Sequence, residues 1–263
     1  MKQTVLFFLT FILAVSSTAQ NTVTGLKYRA INDSYCANRC LLDIYTPADS
    51  AVSHPVIIWI HGGGLVGGDR FVPAELKDAG AVIVAVGHRL LPEVTVDSCI
   101  DDAAAAVAWT FRNIDGFGGD TKRIIVAGYS SGGYLAGMVG LDKSRLEKYG
   151  VDADSIAMIF SLSGQAVTSH AYRKMKGVSP LRPTIDETAP LYHVRGDAPE
   201  FIIVSADRDL ELYGRYEENA YLARMLRLNG HKSVKLHELG GYSHSTVIAP
   251  ALLLLKEAAS QLQ

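Results

Sequence analysis

Two short segments of this chain carry residue types that together can do acyl transfer. Gly128-Tyr129-Ser130-Ser131-Gly132-Gly133 places a serine between glycines two before and two after it. The apolar run 124–127 precedes it and a helical run, 134–141, follows. A serine on such a sharp strand-to-helix turn presents its Oγ as a nucleophile, and a Cβ at either flanking position would meet the neighbouring strand or helix. The helix N-terminus beneath it favours developing negative charge. His61-Gly62-Gly63-Gly64 directly follows a second apolar run, 55–60. Consecutive glycines let backbone N–H groups approach an oxyanion, so Gly63, Gly64 and the N–H of Ser131 are the expected donors. A phosphate-binding loop is a poor fit. No lysine and Ser/Thr follow at P-loop spacing, and no G-x-G-x-x-G opens a helix.

A serine nucleophile needs a base and an acid. His244 lies in a loop after the strand-like run 234–239 and before the last helical segment, which puts it at the carboxyl end of a sheet beside Ser130. His237 falls inside the strand pattern, and His54, His170, His193 and His231 have no comparable setting. The acid is expected between serine and histidine, in Ala206-Asp207-Arg208-Asp209 at the end of the run 201–205. Both aspartates can orient an imidazole. Asp209 is preferred because Asp209-Leu210-Glu211-Leu212 places an apolar anchor three residues after the acid, and Asp207 is then left to pair with Arg208 or cap the turn. The resulting order is Ser130, Asp209, His244.

These residues must be positioned by strands and helices. Continuous runs that are apolar at nearly every position occur at 55–60, 81–86, 124–127, 156–162 and 201–205, and 41–45 alternates. Strands apolar on both faces suit a parallel sheet covered by helices on each side. Residues 97–113 and 216–229 repeat apolar positions near a 3.6-residue period, and 249–262 reads as a last helix with Pro250 in its first turn. The alternation predicts an α/β fold with a doubly wound, mostly parallel central sheet. One long connection, 164–200, carries Pro180, Pro183, Pro190 and Pro199 and is read as a small lid insertion.

The chain of 263 residues, 48% hydrophobic and 20% charged, is long enough for one domain with a sizeable core. Twenty-five basic and 27 acidic residues leave a net charge of -2 without like-charge blocks, so neither nucleic acid nor an anionic membrane is an expected partner. Residues 1–19 read as a signal peptide. Lys2 supplies the positive region, 5–15 an apolar run broken by Thr10, and Ser17 and Ala19 the small residues before a cleavage site. That run is shorter than the about 20 residues a membrane span takes, so no stable membrane insertion is expected. The mature domain, 20–263, is then secreted or periplasmic. Cys36, Cys40 and Cys99 make an odd number: Cys36 and Cys40 are close enough to bridge a small loop, and none has metal-ligand spacing.

On these motifs the chain resembles the α/β-hydrolases, and within them the esterases similar to hormone-sensitive lipase and the acetyl-xylan/feruloyl esterase-like group. The resemblance also rests on Leu42-Asp43-Ile44-Tyr45-Thr46-Pro47, on Arg89-Leu90-Leu91-Pro92-Glu93, which looks like the family's Y-R-L-x-P-E, and on Gly119-Asp120. His88 stands where the family has tyrosine, Leu65 where an aromatic residue often follows the glycines, and Tyr129-Ser130-Ser131 where many members have D-S-A. The resemblance implies an α/β-hydrolase fold and a serine esterase needing no metal or cofactor. Its partner is a small-molecule or carbohydrate ester, such as an acetyl or feruloyl ester. A lipase, an exopeptidase or arylformamidase on the same residues, a metal-dependent hydrolase, and a binding protein that has lost catalysis are the competing readings. Oligomeric state is not indicated.

Overall fold

The computed structural model describes residues 21–30, 33–49 and 52–262. The leader expected at 1–19 lies outside the described residues. Among the described residues, eight strands form one sheet in the order β1-β2-β4-β3-β5-β6-β7-β8. They are β1 (Asn21–Lys27), β2 (Leu41–Thr46), β3 (His54–Ile60), β4 (Val82–Val86), β5 (Gly119–Tyr129), β6 (Met158–Leu162), β7 (Glu200–Ala206) and β8 (Val234–Leu239). The helices are α1 (Ser34–Arg39), α2 (Val96–Asn113), α3 (Ser131–Leu141), α4 (Lys143–Glu147), α5 (His170–Met175), α6 (Arg215–Leu228) and α7 (Ile248–Ser260). Strands β4 to β8 and β3 are parallel neighbours, while β2 runs antiparallel to both β4 and β1.

The uniformly apolar runs form the strands expected of them, because each strand is covered twice. In β3, Val56, Ile58 and Ile60 join a core with α2, α3 and α6, whereas Ile57 and Trp59 point to a second core closed by α7 and Leu76. Every residue of β3, β4 and β6 is buried. A strand buried on both faces cannot show polar alternation, hence the continuous runs. Two strands depart from the sequence reading. β1 was not foreseen, since its NTVTGLK stretch is almost wholly exposed and carries no hydrophobic period. β5 begins five residues earlier than the apolar run 124–127, its Gly119 pairing with His54 at the start of β3 before the register shifts.

Local chemistry starts and stops the long helices. Thr95 caps α2, its Oγ1 accepting from the Ser98 N–H at 3.1 Å. Arg89 grips the fully buried Asp102 of α2 through two hydrogen bonds of 2.8 and 2.7 Å, tying the segment after β4 to that helix. The connection 164–200 holds α5 and a short 3-10 turn, Pro190–His193. Its first residues and Thr188 to Leu191 are buried, and Arg173 reaches the carbonyls of Thr168, Pro180 and Arg182.

The register matters most at the carboxyl edge. Ile60 pairs with Gly128, Tyr129 with Leu162, Leu162 with Val204, and Ala206 with Leu239. The loops after β3, β5, β6, β7 and β8 therefore leave the sheet side by side.

Phe160 is fully buried in the core under α7, so Phe160→Ala is expected to destabilise the fold by about 3–5 kcal/mol, read as a lower urea midpoint at unchanged slope.

Candidate active site

The chain turns sharply after β5. Ser130 has φ 56° and ψ -118°, a conformation a non-glycine residue holds only when its surroundings impose it. Its N–H donates to the Leu162 carbonyl at 2.8 Å, and its own carbonyl accepts from Tyr134 N–H at 3.0 Å as α3 begins. The flanking glycines are sterically required. A Cβ on Gly128 would lie 2.3 Å from the Gly132 carbonyl carbon, and one on Gly132 would lie 2.0 Å from the Ile60 oxygen.

His244 reaches the serine from the β8–α7 loop. Its Nε2 lies 3.0 Å from Ser130 Oγ, and its Nδ1 lies 2.6 Å from Glu211 Oε1. A carboxylate can only accept there, so Nδ1 carries the proton and Nε2 is left to accept from the serine hydroxyl. The loop is fixed by Thr246 and Val247 N–H bonds to the Ser243 carbonyl, and by Tyr129, whose hydroxyl donates to the His244 carbonyl at 2.8 Å. The Tyr129 ring also packs against the imidazole, 5.1 Å between centroids.

The acid is where the structure corrects the sequence reading. Asp209 is exposed and makes no side-chain hydrogen bond among the described residues. Glu211, two residues on, meets the imidazole instead. Asp207 does cap the turn: its Oδ1 accepts from Asp209 N–H at 3.0 Å and its Oδ2 from Gly241 N–H at 2.7 Å. Its carbonyl takes the N–H groups of Leu210 and Glu211 at 2.9 and 2.8 Å. That turn folds the chain back so that the longer glutamate side chain, not the aspartate, enters the sheet edge. Arg208 pairs with Glu238 across the edge rather than with Asp207.

Glu211 is enclosed, its side chain 1% exposed. Burial alone would raise its carboxyl pKa. The hydrogen bonds from His244, the Leu212 N–H at 2.8 Å and the Ser163 hydroxyl at 2.7 Å outweigh that and hold it at about 2. Ser163, the residue after β6, is itself at φ 46°, with its N–H on the Val204 carbonyl at 2.7 Å. Arg215 donates to the Ser163 carbonyl and pairs with Glu218 at 2.7 Å. The only sequence signal for Glu211 was its being a carboxylate near the end of β7, shared with Asp207 and Asp209.

The glycine loop after β3 adjoins this group. Gly63 is at φ 128° and Gly64 at φ 66°, and a Cβ on Gly63 would lie 2.1 Å from the Gly67 oxygen. The Gly63 carbonyl accepts from Val66 and Gly67 N–H, both at 3.1 Å, closing the turn. Among the described residues no acceptor is recorded for the N–H groups of Gly63 and Gly64. Ser131 opens α3, where the first N–H groups have no intrahelical partner.

Of the three family departures, Leu65 belongs to this loop and His88 stacks against it. Leu65 is buried, and its carbonyl accepts from Leu91 N–H at 2.7 Å. The His61 and His88 rings stack 4.6 Å apart at 8°. Each Nδ1 donates to a carbonyl one residue on, Gly62 and Arg89, at 2.7 Å. Burial, with the neighbouring His61, pushes His88 down to about 3, so it stays neutral under the loop.

An eight-stranded, mostly parallel sheet with a serine elbow after β5 and a histidine after β8 is the α/β-hydrolase fold. The chain belongs to the BD-FAE family, whose model matches residues 42–214. Esterase LipC of Mycobacterium tuberculosis is 28% identical over 229 residues, covering 78% of this chain and 56% of that protein. The chain spans between 31% and 56% of the length of the first curated relatives it matches. Among solved structures, a truncated carbohydrate esterase from gut microbiota superposes with a TM-score of 0.76 at 17% identity, over 94% of this chain and 98% of that one. Esterase 2 of Thermogutta terrifontis does so with a TM-score of 0.70 at 20% identity, over 92% of each chain. No helix among the described residues is long and apolar enough to cross a membrane.

Two outcomes follow from the Glu211 geometry. Glu211→Gln is expected to slow fluorophosphonate labelling of Ser130 by roughly 10³-fold, while Asp209→Asn stays within about twofold. The carboxyl pKa falls from an ordinary 4.5 to about 2 on folding, so its stabilisation is present above pH 4.5 and is lost as pH falls toward 2. Urea midpoints measured over that window should drop more steeply for the native protein than for Glu211→Gln.

Proposed function

We propose that this protein is a serine esterase that hydrolyses carboxylic esters of small acyl groups, including acetyl or feruloyl esters on carbohydrate. One observation carries the reading: the continuous chain of hydrogen bonds from Ser130 through His244 to Glu211, beside a glycine loop. Ser130 Oγ attacks the ester carbonyl while His244 Nε2 takes its proton. Glu211 holds the imidazole in the Nδ1–H form and stabilises the imidazolium. The N–H groups of Gly63, Gly64 and Ser131 receive the oxyanion. Protonated His244 then gives its proton to the leaving alcohol, and water resolves the acyl-enzyme with His244 again as base.

The substrate class rests on the surroundings of the site and on likeness. A cleft of about 680 Å³ runs between the segment after β4 and the connection 164–200. It is lined by Leu91, Pro92, Thr95, Tyr172, Glu187 and Thr188 among others, a mixture of apolar and polar groups. Leu91 is one hydrogen bond from Leu65 of the glycine loop, and Thr188 accepts from the Tyr134 hydroxyl of α3 at 2.5 Å. These two hydrogen bonds tie the walls of the cleft to the glycine loop and to α3, while Ser130 and His244 are not among the residues that line it. Such a lining suits a sugar or small ester better than a lipid surface. A superposing carbohydrate esterase supports the same choice. Read as a signal peptide, residues 1–19 would carry the mature enzyme out of the cytoplasm, secreted or periplasmic, where such polymers are met.

The test is a panel of p-nitrophenyl esters of increasing chain length, acetylated and feruloylated xylan, and aryl amides. Turnover is expected for short acyl esters and acylated xylan. It should fall by roughly 10⁴-fold or more in Ser130→Ala. Faster cleavage of amides, or full activity in the alanine variant, would overturn the assignment.

A further inference from the structure

Beneath the glycine loop lies a pair of thiols that the hydrolytic chemistry does not use. Cys36 and Cys40 sit one turn apart at α1, both 1% exposed, with their sulfurs 3.0 Å from each other. Asp33 caps that helix, accepting from Tyr35 and Cys36 N–H at 3.1 Å each, and Cys40 N–H donates to the Cys36 carbonyl at 2.8 Å. The thiols are thus held on one face of a fixed turn. A disulfide there needs the sulfurs to close by only about 1 Å, since an S–S bond is about 2.05 Å. Cys99, the third cysteine, donates to the Arg89 carbonyl instead.

We propose that Cys36 and Cys40 form a disulfide that staples α1 under the oxyanion loop. The location gives the bond a consequence. Arg39, between the cysteines, donates to the Gly68 carbonyl at 2.8 Å and to the His88 carbonyl at 3.1 Å. The Tyr35 hydroxyl accepts from Leu90 N–H at 3.1 Å. A Cβ on Gly87 would lie 2.6 Å from the Arg39 oxygen. One helical turn therefore braces both the end of the 61–68 loop and the 87–91 segment against it. A six-residue helix has little intrinsic stability, so a covalent tie across it holds the brace in place.

The chemistry is thiol–disulfide exchange with a small-molecule or protein disulfide as oxidant. One cysteine thiolate attacks that disulfide, expelling one thiolate. The second cysteine thiolate displaces the other, forming the Cys36–Cys40 bond. The two electrons reduce the oxidant to its dithiol, and two protons leave the cysteines. Burial pushes the Cys40 thiol pKa up, so the exchange belongs to the chain before α1 is packed.

The sequence offers a direct readout, because trypsin cuts after Arg39, between the two cysteines. The reduced, unfolded chain is refolded with oxidised and reduced glutathione, alkylated in denaturant and digested without reductant. The expected product is Ala30–Arg39 joined to Cys40–Arg70 and separated by dithiothreitol, with Cys99 alkylated. Alkylation or glutathionylation of Cys36 and Cys40, or a bond from either to Cys99, would overturn the proposal. Reduction of the bonded protein should lower Tm by about 4 °C. It should also lower kcat about threefold at nearly constant KM, as a loosened oxyanion loop requires. That last measurement rests on the esterase reading. If no ester is turned over, the linked peptides still decide the bond, and a bond without effect on kcat overturns the brace.

Discussion

The architecture of the site depends on one close approach between backbones. The carbonyl of Ile60, where β3 ends, comes so near Gly132 that a Cβ there would lie 2.0 Å from it. This contact lets the first turn of α3 sit on the end of β3, and so brings the glycine loop beside the serine. It also imposes the φ of 56° on Ser130, because the chain must turn from strand to helix within that space. The strain is offset by ordinary hydrogen bonds on either side of it, to Leu162 and from Tyr134. Parallel pairing of β3, β5 and β6 supplies the rigid frame those bonds need.

From that point the site extends across the sheet edge through charge and hydrogen bonding. Glu211 is buried yet ionised, which is tolerable only because four donors converge on it. One of them is the imidazole that must face Ser130. Another is Ser163, fixed after β6 and braced by Arg215 from α6. Asp207 works at one remove: it clamps the turn after β7 to the histidine loop at Gly241, tying the segment of Glu211 to that of His244. The carboxylates of this loop thus divide into a clamp, an exposed residue and the partner of the imidazole.

The support of the glycine loop shows a comparable division. His88, where the family has tyrosine, stacks flat on His61, and each ring donates its Nδ1 proton to a nearby carbonyl. Burial keeps that pair neutral beneath the glycine loop. Arg39, Tyr35 and the Arg89–Asp102 pair carry the same loop region into α1 and α2.

The sheet, its parallel sense, the elbow, the glycine loop and the position of His244 were legible in the chain itself. Each depends on local or periodic information. Continuous apolar runs mean burial on both faces, and glycines at fixed offsets mean close backbone contact. β1 was not legible, because an exposed edge strand leaves no hydrophobic period and exists only through pairing with β2. The acid was not legible either. Asp207, Asp209 and Glu211 lie within five residues of one another, all after β7 and all chemically able to hold an imidazole. Which one does so depends on where a turn closes. Asp207 takes the two N–H groups that fold the chain back, Asp209 is left in solvent, and the extra methylene of Glu211 spans the remaining distance. Residue type and order could say that a carboxylate follows the seventh strand. Only the packed turn, held to a loop more than thirty residues further along the chain, could say which.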